Sequence, residues 1–209
     1  MRSSFLVLAL LLATAGCGGD EEAGGDGGCE RVEAPPAREA PELELPRGTL
    51  DPSRSYALVF ATSCGDFTVD LDLRLAPETT ASLVFLARQG FYDDTVFHRI
   101  VPGFVVQGGD PTQTGGGGPG YATLDRPPTS VRYTKGTVAM AKTAIAPAGT
   151  AGSQFFVVTA EDAGLPPEYA IVGRVSEGMD TVERIEALGG ADERPTRPVV
   201  LRSVTVAEG

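Results

Sequence analysis

Residues 97–110 read Phe-His-Arg-Ile-Val-Pro-Gly-Phe-Val-Val-Gln-Gly-Gly-Asp. Two short apolar runs flank a Pro102-Gly103 turn, the first carrying Arg99 and the second Gln107. A guanidinium inside an apolar run is costly unless it is paired or used. The stretch therefore reads as two adjacent strands that put Arg99 and Gln107 on one face beside Phe104.

Working outward, Ser55–Phe60 and Asp66–Leu73 also have strand character. The second alternates Phe67, Val69, Leu71 and Leu73 with Thr68, Asp70 and Asp72, and Cys64-Gly65-Asp66 supplies a hairpin turn. Pro77–Gly90 predicts a helix, with Pro at its start, Glu78 at the positive dipole end and Gly90 to close it. Leu83, Leu86 and Ala87 share a side of it. Further short strands are expected at Val96–Ile100, Phe104–Gln107, Thr137–Ala141, Phe155–Thr159, Ile171–Val175 and Val199–Val206, with a second helix over Met179–Leu188. Many short strands and two helices imply an antiparallel sheet, whose closure into a barrel removes exposed edges. The helices are expected to cap that barrel.

Composition narrows the function. The chain has 209 residues, 42% of them hydrophobic, enough for one good core. Its net charge of −11 argues against nucleic-acid binding, which needs a basic face. The single histidine, His98, excludes a metal site built on several imidazoles, though not one built on carboxylates; no metal is expected at the site. Gly115, Gly117 and Gly120 satisfy the spacing of a dinucleotide fingerprint. Pro119 and Tyr121-Ala122-Thr123 open no helix there, so that reading is rejected in favour of a turned loop.

The amino terminus reads as a targeting segment. Arg2 precedes the apolar run Phe5–Ala13, which is too short to span a bilayer, a task that takes about 20 residues. Thr14-Ala15-Gly16-Cys17 resembles a bacterial lipobox, which implies a signal peptide over 1–16, lipidation of Cys17 and anchorage on the extracytoplasmic face of the cell membrane. Residues 17–52 are rich in Gly, Glu, Asp and Pro and are expected to form a disordered tether, with the folded domain at 53–209. Cys29 lies in the tether and Cys64 in the first strand region. In an oxidising compartment they can pair, and two unpaired thiols is the alternative.

Residues 97–110 resemble the signature of the cyclophilin-type peptidyl-prolyl isomerases. The preceding Gly90–Phe97 is similar to the family's approach to that signature. Gly115–Tyr121 resembles its glycine loop, and Thr137–Ala141 and Gly152–Val157 its other two site strands. The likeness runs from about Tyr56 to Val206. It implies a closed eight-stranded antiparallel barrel capped by two helices, no cofactor, a monomer, and proline-containing polypeptide clients. It also implies a catalytic Arg99, a proline pocket of Phe104, Phe156 and Leu165, and Val105 where Met is frequent. Gln107 and Gln154 would hold the substrate backbone, with Gly115 and Ala141 beside it. Lys142 stands where many members have Asn, Tyr169 where many have His, and the chain has no Trp.

The implied chemistry follows from the amide. Its C–N bond resists rotation by roughly 18–20 kcal/mol, and uncatalysed X-Pro exchange takes on the order of 10–100 s. Twisting removes resonance and leaves a lone pair on the prolyl nitrogen, which a fixed cation stabilises more than either planar state. One charge-assisted hydrogen bond contributes roughly 1.5–3 kcal/mol, whereas a 10⁵-fold acceleration needs about 7 kcal/mol. Orientation in a dry pocket must supply the rest. Taken singly, the pocket residues would be ordinary core, and the two glutamines would satisfy backbone groups. His98 reads as a structural imidazole rather than a general base, and Ser153 lacks a His/Asp partner pattern. The rival reading is a catalytically weak module that grips Pro-containing segments.

Overall fold

The computed structural model describes residues 28–209; the expected signal peptide and Cys17 lie outside the described residues. In chain order the strands are β1 (Tyr56–Thr62), β2 (Gly65–Leu71), β3 (Thr95–Val96), β4 (Arg99–Val101), β5 (Val105–Gly108), β6 (Thr123–Leu124), β7 (Thr137–Met140), β8 (Thr150–Ala151), β9 (Phe155–Val158), β10 (Ile171–Glu177) and β11 (Val200–Glu208). Helix α1 (Pro77–Arg88) lies between β2 and β3, and α2 (Met179–Glu186) between β10 and β11.

Alternation drives the sheet. Along β2, Phe67 and Val69 are buried while Asp66 and Asp70 face solvent, and β1 repeats the pattern at Tyr56, Leu58 and Phe60. Phe60 pairs across the hairpin with Phe67, and the rings stack at 4.6 Å. Burying each such side chain contributes about 1.5–3 kcal/mol. Helix α1 buries Leu83, Val84, Leu86 and Ala87 and packs on β11 and β6. Helix α2 buries Val182 and Ile185 and packs on β2, β4 and β5.

The antiparallel, two-helix architecture is as the sequence implies, but the closed eight-stranded barrel is not. The main sheet has nine strands in the order β3-β11-β1-β2-β10-β7-β9-β5-β4 and stays open between β3 and β4. Among the described residues a single bridge, Val96 with Asp110, crosses near that seam. The reason lies in residues 96–100, expected as one strand. Phe97 buries its ring completely while its N–H still donates to the Val199 carbonyl at 3.1 Å; the run then changes partner, β3 pairing with β11 and β4 with β5. A β-carbon on Gly108 would come within 3.3 Å of that ring, so the glycine leaves room for it. The small β6–β8 ladder also escapes the sequence reading, being two residues per strand.

Residues 28–52 are not the free tether expected of their composition. Cys29 is disulfide-bonded to Cys64. The Glu30 N–H donates to the Ser63 carbonyl at 2.7 Å, Arg38 N–H to Pro111 at 2.9 Å and Leu43 N–H to Pro119 at 2.8 Å. The Arg38 guanidinium donates to the carbonyls of Phe91 and Asp93, both at 2.8 Å, and Leu43 and Leu50 pack on the core. Composition hides this strap because its anchors are mostly main-chain groups distant in sequence.

Candidate active site

Register assembles the site. Arg99 on β4 pairs with Gln107 on β5, Gln107 with Phe156 on β9, and Phe156 with Ala139 on β7. Four strands thus contribute one lateral row of side chains to one face. Their neighbours Ile100, Val106, Phe155, Val138 and Met140 point the other way into the main core. The site face has its own apolar cluster: Val105, Tyr133, Ala139, Phe156, Val158 and Ile171, with Phe104, Ala141, Leu165 and Tyr169 packed at its margin.

Arg99, Phe104, Val105, Gln107, Lys142, Phe156, Leu165 and Tyr169 line one cleft of about 130 Å³. Phe104 closes the turn after β4, its N–H donating to Val101 at 3.0 Å. Gly103 in that turn has φ +73° and donates its N–H to Glu186 on α2 at 2.6 Å. Tyr169 meets the Phe156 ring edge-on at 5.5 Å. Its main chain is held by Tyr133, whose hydroxyl donates to the Tyr169 carbonyl at 2.8 Å and accepts its N–H at 3.0 Å.

A hydrogen-bonded chain runs along the polar edge. The Arg99 Nη1 donates to Gln107 Oε1 at 3.4 Å, and Gln107 Nε2 donates to Gln154 Oε1 at 3.1 Å. Gln154 Nε2 in turn donates to the carbonyls of Gly115 and Gly117, each at 2.9 Å. Ala141 donates its N–H to the Gln154 carbonyl at 2.9 Å. Of the residues that the resemblance implies, Gln154, Gly115 and Ala141 do not line the cleft and join it only through these hydrogen bonds.

The glycine loop is built on Asp110, which is fully buried. Its carboxylate accepts from Thr112 N–H and Oγ1 at 2.7 and 2.8 Å and from Gly115 and Gly117 N–H at 2.7 and 3.1 Å. Burial opposes ionisation, yet these donors outweigh it and hold the carboxyl below its ordinary range. A β-carbon on Gly117 would fall 2.0 Å from Asp110 Oδ1, so the loop needs glycine there. His98 beside this loop has both ring nitrogens buried without a partner among the described residues. Burial lowers its pKa, against the pull of Asp110, which favours the neutral ring, and His98 is not among the residues that line the cleft.

Lys142 lines the cleft with its side chain largely covered. Its side chain is 3% exposed, its Nζ 2.9 Å from Glu168 and 5.5 Å from the centre of the Tyr169 ring. It also donates to the Ala146 carbonyl at 3.2 Å. Three contributors carry no sequence signal near the site. Glu193 contacts Arg99 from 94 residues away, Tyr133 orders Tyr169, and Gln113 ties the glycine loop to the strap at the Pro35 carbonyl, 2.8 Å away.

Comparison with known proteins agrees with this geometry. The family described as cyclophilin type peptidyl-prolyl cis-trans isomerase/CLD matches residues 57–206. Peptidyl-prolyl cis-trans isomerase A of Mycobacterium tuberculosis is 37% identical over 179 residues, spanning 76% of this chain and 96% of that protein. Peptidyl-prolyl cis-trans isomerase-like 1 of Gibberella zeae is 38% identical over 156 residues, spanning 72% and 94%. A Cryptosporidium parvum cyclophilin crystallised in the presence of the dipeptide Ala-Pro superposes with a TM-score of 0.67 at 29% identity, covering 72% of this chain and 98% of that one. The chain belongs to the cyclophilin family. It is a peptidyl-prolyl cis-trans isomerase.

Proposed function

We propose that Arg99 stabilises the twisted X-Pro amide of secreted or envelope polypeptides, and that the enzyme works from a lipid anchor on Cys17 outside the cytoplasmic membrane. The observation that carries the catalytic part is the row Arg99–Gln107–Phe156 beside Phe104, which sets a cation at the lip of an apolar cleft. A prolyl ring seated among Phe104, Phe156 and Leu165 leaves its nitrogen facing the guanidinium. Gln107 and Gln154 then hold the main chain on one side while the other side turns. A seated prolyl ring displaces water from the cleft, and the cation's field is then stronger at the moment the lone pair appears. The likeness to a cyclophilin studied with Ala-Pro supports proline-containing segments as substrates.

The cellular placement is supported by the Cys29–Cys64 disulfide, since such bonds persist in oxidising compartments. Incorporation of labelled fatty acid that persists in Cys17→Ser would refute the anchor. For catalysis, the test is NMR exchange on an X-Pro peptide with the full chain in detergent. Arg99→Ala is expected to lower the rate roughly 10- to 150-fold while staying folded, the loss of one charge-assisted hydrogen bond. Equal rates remove Arg99 from the mechanism. Absence of acceleration by the unmodified chain favours the alternative, a module that binds Pro-containing segments without turnover.

A further inference from the structure

The guanidinium of Arg99 is gripped from behind. Glu193 Oε2 accepts from Arg99 Nε at 2.8 Å, while Gln107 takes Nη1 from the other side. Nη2 has no protein partner among the described residues and leaves both of its N–H groups for substrate. Two anchors of different geometry on one planar group fix its plane as well as its position.

Glu193 is itself held against β4. Its carbonyl accepts the N–H of Ile100, the residue after Arg99, at 2.8 Å. Gly190 N–H donates to the Arg194 carbonyl at 2.7 Å, and Glu193 N–H to the Gly190 carbonyl at 3.2 Å. The Leu188 carbonyl accepts from Thr196 N–H at 2.7 Å and Oγ1 at 3.0 Å, closing the turn. A β-carbon on Gly189 would fall 2.7 Å from Pro102, so this turn presses on the β4–β5 hairpin.

The backbone at Glu193 has φ +63°, a left-handed conformation that favours glycine. Glycine would occupy it with less strain, so the local fold does not ask for glutamate. Nor does stability, because the ion pair is open to solvent, its side chains 35% and 54% exposed, and such pairs add little. What the glutamate does supply is an acceptor for Nε at a fixed place. Strain retained at a residue touching a functional group is a signature of such a role.

We propose that Glu193 is a positioning residue that presents the Arg99 guanidinium to the prolyl nitrogen. This rests on the assignment of Arg99 above. Aiming the donor matters to the twisted state and little to the planar ones, so kcat carries the effect and KM does not.

The test is Glu193→Gly, Glu193→Gln and Arg99→Ala, singly and with Glu193→Gly combined with Arg99→Ala, in the full chain. Each is measured by peptide exchange and by thermal midpoint. Glu193→Gly is expected to keep or raise the midpoint, lower kcat about tenfold and change KM less than twofold; tenfold corresponds to about 1.4 kcal/mol in the barrier. Glu193→Gln, which keeps an acceptor, recovers part of the rate. In the Arg99→Ala background Glu193→Gly has no further effect. A kcat unchanged or raised in Glu193→Gly, a loss confined to KM, or an equal further loss without Arg99 overturns the proposal. Should Arg99→Ala itself keep full rate, the assignment of Arg99 fails first, and the two failures are told apart.

Discussion

Replacing Asp110 by Asn removes one charge and one acceptor at the centre of the glycine loop. Four donors converge on the carboxylate, two from Thr112 on one oxygen and the amides of Gly115 and Gly117 on the other. Asparagine has a single acceptor oxygen, so its NH₂ must face one pair of donors. Each buried donor left without a partner costs about 1–3 kcal/mol. The loop is partly open to solvent, which favours the lower half, so the total is about 2–4 kcal/mol. At about 2–4 °C per kcal/mol for a chain of this size, the midpoint falls roughly 5–15 °C. The same loop presents the carbonyls that hold Gln154, so kcat/KM falls too. The sign of the pH dependence follows from the carboxyl being held below its ordinary range. Its contribution is complete above the unfolded value, about 3.9, and is lost as pH falls through the lower folded value. Urea unfolding of both proteins at pH 7 and near pH 3 is the assay, with the gap wide at neutral pH and narrowed in acid. A gap under about 0.5 kcal/mol at pH 7, or one as wide in acid, refutes the reasoning.

Two further perturbations probe the strap and the buried imidazole. The Cys29–Cys64 link spans 35 residues, and closing such a loop in the unfolded chain contributes about 3–4 kcal/mol; Cys29→Ser with Cys64→Ser should lower the urea midpoint accordingly, and an unmoved midpoint would show the link to be idle. Burial lowers the pKa of His98, so the unfolded chain takes up a proton that the folded chain resists. Stability is then complete above about pH 6.5 and declines below it; the midpoint should drop between pH 7.5 and 5, less so in His98→Gln, and superimposable pH curves would exclude this.

The differences between sequence and structure have identifiable causes. Periodicity located the long elements because burial alternates cleanly there, as at Phe67 and Val69 on β2. It does not reach the division at Phe97 and His98, because the two halves of one apolar run pair with different strands, β3 with β11 and β4 with β5. The strap escapes composition because low apolar content says nothing of a disulfide or of main-chain bonds to Ser63, Pro111 and Pro119. Lys142 lines the cleft as the resemblance implies, and its pairing with Glu168 and closeness to the Tyr169 ring carry no local sequence signal.

The antiparallel class and the two helices are legible in the chain alone, as are the candidate cleft residues, since alternation, turn chemistry and a resemblance spread over five motifs are all local properties. So is the placing of Arg99 and Gln107 on one face, because a short hairpin leaves little choice of register. That the sheet stays open at β3 and β4, that Gln154 leans on the glycine loop, and that Glu193 stands behind Arg99 emerge from the folded chain alone. Those depend on contacts between residues tens of positions apart, where no periodicity links the partners and only the packed fold sets the distance.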